Sequence, residues 1–297
     1  MDIPLPTTMS ANPQPATSPD DAPPSKPGMT RAQKLLFFVT AWLICLMPFL
    51  FWWNTWFGRK LSDQQLTEYL HDTKKPRHIQ QALVQVGERI TRQDVTAKRW
   101  YPDLVRLAAD PVEEVRNTDA WVMGQDTTGT GFHATLLSML TDPSQMVRGN
   151  AALSLVRFGD ASGRTQIVAL LQPAQVTSPE PGRIVDADRP GTAIHQSGLI
   201  AKLSYGHEQI AEIRSPIPGR IRSVAGTGAN VAAGAEVAVV DPATEQVWEA
   251  LRALYLVGQP DDLSAVRPYE RDLPDISNDV RQQAVETEQA IRKRSGS

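Results

Sequence analysis

The residues that could perform chemistry are few in this 297-residue chain, and their spacing matches no catalytic pattern. A single cysteine, Cys45, excludes an internal disulfide and a multi-cysteine metal site. No HExxH, GxSxG or P-loop sequence is present. The histidines are His71, His78, His133, His195 and His207. We therefore expect no catalytic, metal-binding or cofactor-binding residues, no small-molecule substrate and no enzymatic activity.

Three weaker candidate sites have simpler structural interpretations. His195 and His207 could converge on a metal, but no further ligand residue stands near them at ligand spacing. The stretch "QDTTGTGFHATLL", from Gln125, has glycines before a helix start and could cradle an anion, although an inter-repeat loop is the interpretation we favour. The carboxylates of "DLPDISND", residues 272–279, could hold calcium weakly, but helix capping explains them more simply.

One stretch, "SPIPGRIRSVAGTGANVAAGAEVAVVDP" at residues 215–242, has the pattern of short strands and turns. Alternating Val and Ile runs are separated by Gly and Pro, and glycines in 226–230 suit a tight turn where φ is positive. The residues before it, 180–205, follow the same pattern more loosely. This composition predicts an all-β segment over residues 175–241.

That segment resembles the biotinyl/lipoyl-like barrel-sandwich, including the related domain of membrane-fusion (periplasmic adaptor) proteins. In biotin carriers of this family the modified lysine lies in an exposed hairpin flanked by methionines. The corresponding hairpin here is "LSYGHEQI", whose tip holds Tyr205, Gly206 and His207. Lys202 is the only lysine of the segment, and alternation places it in a strand. The resemblance therefore implies a binding or structural use without a cofactor. Adaptors carry a long coiled-coil hairpin at this point, where only a short loop fits.

The chain on both sides of this segment contains a repeated helical motif. An Asp is followed six positions later by the Arg of a Val-Arg pair, at Asp110–Arg116, Asp142–Arg148 and Asp275–Arg281. We expect the Asp to cap a helix and the Arg to reach an Asp of the same or a neighbouring repeat. The motif resembles HEAT-type repeats of the short bacterial variety, which implies stacked helix pairs sharing one apolar core.

The β segment interrupts one of these repeats. "RTQIVALLQP" matches a first helix, and the expected second helix resumes only at "DPATEQVWEALRALYLVG", from Asp241. Val247-Trp248 stands there in place of Val-Arg, so the arginine ladder is in doubt at this repeat. For Trp248 we favour packing in the helical core over packing against the insert.

An uncharged stretch of 23 residues, 35–57, predicts a transmembrane helix over residues 34–58. Trp52, Trp53 and Trp56 cluster at its end, where indoles favour the headgroup level. A signal peptide or a buried helix fits less well, because the stretch is long and lacks a cleavage site. Positive charges lean toward a cytoplasmic body, whereas a short leader and the adaptor resemblance point outward, so the sequence leaves the side open.

Together these features predict an α+β multidomain chain with one transmembrane helix. The expected parts are a disordered Pro-rich tail (1–33), the transmembrane helix (34–58), a HEAT-like α-solenoid (61–172 and 243–293) and the inserted β-sandwich (175–241). The net charge of −3 argues against nucleic-acid binding. We expect a non-enzymatic scaffold or accessory subunit, anchored in the bilayer by residues 35–57, that docks proteins of a membrane complex. The alternative is a periplasmic adaptor subunit of an export system.

Overall fold

The computed structural model describes residues 30–56, 60–206, 209–271 and 276–296. Most of the expected tail, residues 1–29, therefore lies outside the described residues. The chain divides into two compact units, with the boundary in the sequence between residues 59 and 60. In the first unit, helix α1 spans Arg31–Trp56, with exposed apolar side chains that include Phe38 and Trp42. A search of the described residues for membrane-crossing helices found none with the required length and apolarity.

The second unit contains ten α-helices among its described residues. They are α2 Asp63–Leu70, α3 Pro76–Thr91, α4 Tyr101–Leu107, α5 Glu113–Met123, α6 Phe132–Met139, α7 Gln145–Arg157, α8 Arg164–Ala169, α9 Thr244–Val257, α10 Leu263–Val266 and α11 Asn278–Ser295. Three 3₁₀ turns, Val95–Trp100, Pro260–Asp262 and Arg267–Glu270, connect some of them.

The helices form a repeat in which long and short members alternate. The odd-numbered helices α3, α5, α7, α9 and α11 pack side by side in a row, and each even-numbered helix packs against an odd-numbered helix next to it in the chain. A single apolar core runs through the whole stack, because each pair covers an apolar stripe that it could not bury alone. The expectation of stacked helix pairs is thus confirmed. Trp248 packs against this helical core, as favoured from the sequence.

Eight strands lie between α8 and α9. They are β1 Ala174–Thr177, β2 Gly182–Ala187, β3 Ala193–Ile194, β4 Leu199–Tyr205, β5 Gln209–Arg214, β6 Gly219–Val224, β7 Asn230–Val231 and β8 Glu236–Pro242. They form two antiparallel four-stranded sheets, with strand orders β1-β8-β6-β3 and β5-β4-β2-β7. A second apolar core, which includes Ile184, Leu203, Ile221 and Val240, fills this β module.

The β module consists of two matching halves. The sequence "SPEPGRI" at residues 178–184 recurs as "SPIPGRI" at 215–221, which is 37 positions later. The same offset relates β2 to β6, β3 to β7 and β4 to β8, and it places β1 on β5. Even the glycine contacts match: a Cβ on Gly182 would lie 2.3 Å from the Ser204 carbonyl oxygen, and one on Gly219 would lie 1.7 Å from that of Asp241. Only glycine fits at either position.

The β module enters and leaves the helical repeat at one point. Ala174 at its start is the register partner of Val240 near its end, so the two connections to the helices lie side by side. Met146 of α7 packs against the β core, and the Ala243 N–H donates to the Pro218 carbonyl at 3.0 Å just before α9. The β module therefore contacts the N-terminal ends of both α7 and α9.

Candidate functional site

Three of the four described histidines lie against aspartates of the helical repeat, and the fourth, His195, directly follows β3 in the β module. His78 lies 2.9 Å from Asp72 and stacks on Tyr69, and His133 lies 2.7 Å from Asp160. His71 lies 3.1 Å from Asp103. Across the described parts of the chain, no group of three His, Cys, Asp or Glu residues could hold a metal. His207, one member of the proposed histidine pair, lies outside those parts, as does the first half of "DLPDISND", residues 272–275.

The glycine-rich loop before α6 is organised by its own side chains. The Asp126 carboxylate accepts the Thr128 N–H at 2.8 Å and also the hydroxyls of Thr128 and Tyr101. These hydrogen bonds hold the pKa of Asp126 below its usual range although burial opposes the shift. The loop thus places a carboxylate where an anion would have to bind, which supports the interpretation as an inter-repeat loop.

The Asp and Arg of the repeat motif join neighbouring repeats. Arg116 donates to both carboxylate oxygens of Asp142, at 2.7 and 3.0 Å, and also to the Asp110 carbonyl at 2.8 Å. Burial raises the pKa of Asp142, but hydrogen bonds from Arg116 and the Ser144 N–H outweigh burial and lower it. Arg148 bonds the carbonyls of its own turn, at Asp142 and Pro143. The series of arginine–aspartate contacts between repeats therefore stops at α7, the last long helix before the β module.

The expectation that the motif Asp itself caps the helix was wrong. The N-cap residues are Val112 in α5 and Ser144 in α7, two positions after each Asp. Asp110 and Asp142 instead accept the N–H of these N-cap residues, at 2.9 and 2.8 Å. This local turn, in which an Asp side chain accepts the N–H two residues on, is typical of Asp. The third motif Asp, at residue 275, lies outside the described residues.

Asp119 of α5 is a fully buried carboxyl group for which the described residues provide no hydrogen-bond partner. Burial raises its pKa well above the ordinary value, although the charge of Arg106 acts in the opposite direction. Sequence reasoning missed this residue. An alignment of the repeats on their core valines would have revealed it, since Ala151, Leu251 and Ala284 are its equivalents.

A second unusual carboxyl group lies near the C-terminal end of the helical repeat. Burial, together with the neighbouring Glu288 carboxylate, raises the pKa of Glu270 to about 7. Glu288 accepts hydrogen bonds from Arg292 at 2.7 Å and Arg267 at 3.1 Å, and the hydrogen bond from Glu270 and these arginines lower its pKa to about 2. In its protonated form, Glu270 can donate a hydrogen bond to Glu288 of the last helix, α11.

A groove lies on the face of the odd-numbered helices that the even-numbered helices leave uncovered. It has a volume of about 330 Å³ and is lined by α5, α7 and α9. Trp121 and Leu256 line it with 43% and 61% of their surfaces exposed. Arg157 and Arg252 provide positive charge at its edge. We call this the α7–α9 groove; it combines exposed apolar side chains with two guanidinium groups.

A larger cavity, of about 880 Å³, lies between the β module and the C-terminal helices. Two of its polar groups have partners: Arg222 pairs with Asp241, and the Tyr269 hydroxyl donates to the Leu171 carbonyl at 2.6 Å, while His195 and Glu245 also line the cavity. Burial raises the pKa of Tyr269 to about 12, so it stays protonated as a donor. Residues 272–275, next to this cavity along the chain, are outside the described residues. The cavity therefore lies at the interface between the β module and the helical repeat.

In the β module, Lys202 lies within β4 rather than at a hairpin tip. Its ammonium group is 3.8 Å from Asp186, and its register partner on β5 is Glu212. β4 ends at Tyr205 and β5 begins at Gln209, so three residues join them. Only three residues of chain therefore separate β4 from β5, at the place where the resemblance drawn from the sequence would put a modified lysine or a coiled-coil hairpin.

Fold and surface together define a helical-repeat protein that carries an inserted β module and an exposed groove. No protein-family model matches the sequence, and no curated protein matches it. Among solved structures, the chain is similar to a designed armadillo repeat protein in complex with the peptide (KR)4. The identity is 15% and the TM-score 0.36, and the similarity covers 78% of this chain and 87% of the designed one.

Proposed function

We propose that this protein is a non-enzymatic, membrane-anchored scaffold, an accessory subunit that docks protein partners of a membrane complex. The observation that carries the proposal is the α7–α9 groove, where Trp121 and Leu256 leave large apolar surfaces open to solvent. Apolar patches that a folded protein leaves exposed are typical of interaction sites. Helical repeats favour this use because their stacked helices present one extended face.

The anchor part of the proposal rests on the sequence. Residues 35–57 contain 23 consecutive residues without a charge, and a bilayer core needs about 20 in a helix. The described part of this stretch lies in α1, and its last residue, Phe57, falls beyond it. A body held at the membrane by this stretch would meet partners already embedded in the same bilayer.

The runner-up function is a periplasmic adaptor subunit of an export system. The two matching halves of the β module support a barrel-sandwich of the kind that adaptors contain. The three-residue β4–β5 connection argues against it, because an adaptor needs a long coiled-coil hairpin there. A carrier-enzyme subunit is the third candidate, and it predicts a mass increase on Lys202. The position of Lys202 between two carboxylate-bearing strands favours a structural role instead.

The scaffold proposal is tested by photo-crosslinking in native membranes. A photoreactive phenylalanine analogue replaces Leu256 in the groove or, as a control, Val95, which is 75% exposed and does not line the groove. We expect a protein crosslink from position 256 alone, and we expect alkaline carbonate to leave the crosslinked species in the membrane pellet. When the crosslinked partner is tagged and purified, the wild-type chain should co-purify with it and a Trp121→Glu variant should not.

Two results would contradict this proposal. Equal crosslinking from both positions, or none from position 256, would remove the groove as a docking surface. Release of the uncrosslinked chain into the soluble fraction by carbonate would remove the anchor. The two parts are thus separable, because each has its own readout.

A further inference from the structure

The α7–α9 groove opens at the repeat that the β module interrupts. Consecutive odd-numbered helices pack closely elsewhere, but α7 and α9 touch less extensively than α5 and α7 do. The β module contacts the N-terminal ends of both helices, through Met146 and the backbone next to Ala243. The groove forms along their C-terminal halves, where Leu153 and Val156 of α7 face Ala253 of α9. The weaker packing at this interrupted step leaves space for a ligand.

The charge inside the groove is unbalanced. Arg157 donates to two neutral groups, the Gln125 side-chain oxygen at 2.9 Å and the Gly124 carbonyl at 3.5 Å. No carboxylate in the described part of the chain forms a salt bridge with it. Arg252 lies over Trp248 and is 3.6 Å from Glu249. Two guanidinium groups and one carboxylate therefore line the groove, and Arg157 is the guanidinium that has no carboxylate partner among the described residues.

The apolar surface lies on either side of this cation. Trp121 stands on α5 and Leu256 on α9, so the two side chains flank α7, which carries Arg157. Neighbouring packed helices are about 8–10 Å apart. In an extended peptide, alternate side chains on one face lie about 7 Å apart. Successive side chains on that face would therefore reach α5, α7 and α9 in turn.

We infer that the α7–α9 groove binds an acidic, extended segment of a partner protein, with a carboxylate on Arg157 and large apolar side chains against Trp121 and Leu256. This inference rests on the scaffold function proposed above and adds the chemistry of the partner. A basic segment would meet the uncompensated guanidinium of Arg157, and like-charge contacts of this kind oppose binding. A purely apolar segment would leave that guanidinium unpaired as it is covered.

The test is a charge-reversal selection with the full chain in phosphatidylcholine nanodiscs. Random peptides displayed on phage are selected on the wild-type chain and, in parallel, on an Arg157→Glu variant. We expect the wild type to enrich Asp or Glu next to Leu, Phe or Trp, and the variant to enrich Lys or Arg instead. Circular dichroism melting of both chains checks that the exposed substitution leaves the fold intact.

The strongest wild-type peptide is then labelled with fluorescein, and its affinity is measured by anisotropy. We expect Arg157→Glu to weaken binding at least tenfold and Trp121→Ala to weaken it several-fold. Arg189→Glu, an exposed charge reversal in the β module, should leave the affinity within twofold. Selection of basic peptides by the wild type, or enrichment that does not depend on Arg157, would overturn the inference. If position 256 still crosslinks a partner, the scaffold function stands even when the peptide selection contradicts this inference. If the crosslinking experiment also gives the contradicting result, the scaffold function is wrong as well.

Discussion

At the scale of single residues, Asp119 is the feature that most clearly opposes stability. A carboxyl group buried without a partner costs about 1–3 kcal/mol, yet Asp119 occupies a core position of the repeat. Its equivalents, Ala151, Leu251 and Ala284, are apolar and equally buried. The first full repeat therefore has a carboxyl group where the other repeats have apolar side chains. Burying this group lowers the stability of the α4–α5 pair.

We expect Asp119→Ala to raise the free energy of unfolding by about 1–3 kcal/mol at pH 7, measured by urea denaturation of the full chain in detergent. Burial raises the folded-state pKa above the unfolded value of about 3.9. Wild-type stability should accordingly fall as pH rises above about 4, while the variant lacks this component. The difference in the free energy of unfolding between the variant and the wild type should therefore decrease as the pH is lowered toward 4.

The matched control is Asp186→Ala, because the Asp186 side chain is exposed on β2. It should change stability by less than about 0.5 kcal/mol at any pH. An Asp119→Ala variant that is less stable than the wild type at every pH would show that the carboxyl group makes a stabilising contact, and our account of the α4–α5 pair would then be wrong.

At the scale of elements, the link between α5 and the turn before α7 holds successive repeats in register. Arg116 is bidentate to Asp142 and also bonds the Asp110 carbonyl, so one side chain ties two turns together. Both partners of the ion pair are largely buried, which makes the pair costly to break on one side only.

We expect Arg116→Ala to lower the free energy of unfolding by about 2–3 kcal/mol, since the Asp142 carboxylate loses its charged donors. Arg148→Ala is the matched control at the same motif position, and it should cost about 1 kcal/mol because Arg148 bonds only carbonyls. A double-mutant cycle of Arg116 and Asp142 measures the coupling. Equal costs for the two arginines would show that the inter-repeat ion pair contributes nothing beyond local bonds.

The helices and strands also show how much of the structure could be predicted from the sequence. The spacing from Asp to Val-Arg identified the repeat and its phase, because helical periodicity and turn chemistry are local properties. The groove could not be predicted from the sequence, since it depends on the distance between α7 and α9, the two helices on either side of the β module. The contact between Arg116 and Asp142 was expected from the motif and is confirmed, whereas the capping role expected of Asp142 was wrong, because its carboxylate accepts the N–H of the N-cap residue Ser144. The 37-residue repeat of "SPxPGRI" was visible in the sequence and was missed.

At the scale of the whole molecule, the helical repeat and the β module have separate apolar cores. Their shared contacts are few and include Met146 and the hydrogen bond from Gln196 to Glu113. Each part therefore buries its own surface, and the helical repeat does not need the β module to complete its core.

Deleting residues 175–240 joins Ala174 directly to Asp241. Because Ala174 pairs with Val240, the new ends are about 5 Å apart, close to one peptide step. We expect the shortened chain to keep a helical circular dichroism spectrum and a cooperative urea transition. Its denaturant slope should be smaller, since less surface is exposed on unfolding. A broad transition without cooperativity would mean that the β module is part of the helical fold.

The strand orders have one more consequence. Each sheet takes strands from both halves: β1 and β3 join β6 and β8, while β2 and β4 join β5 and β7. A lone half thus cannot complete either layer, and only two interlaced copies can do so. In effect the module resembles two structurally equivalent subunits fused into one polypeptide, and a synthetic single half should associate as a dimer when separated from the other half.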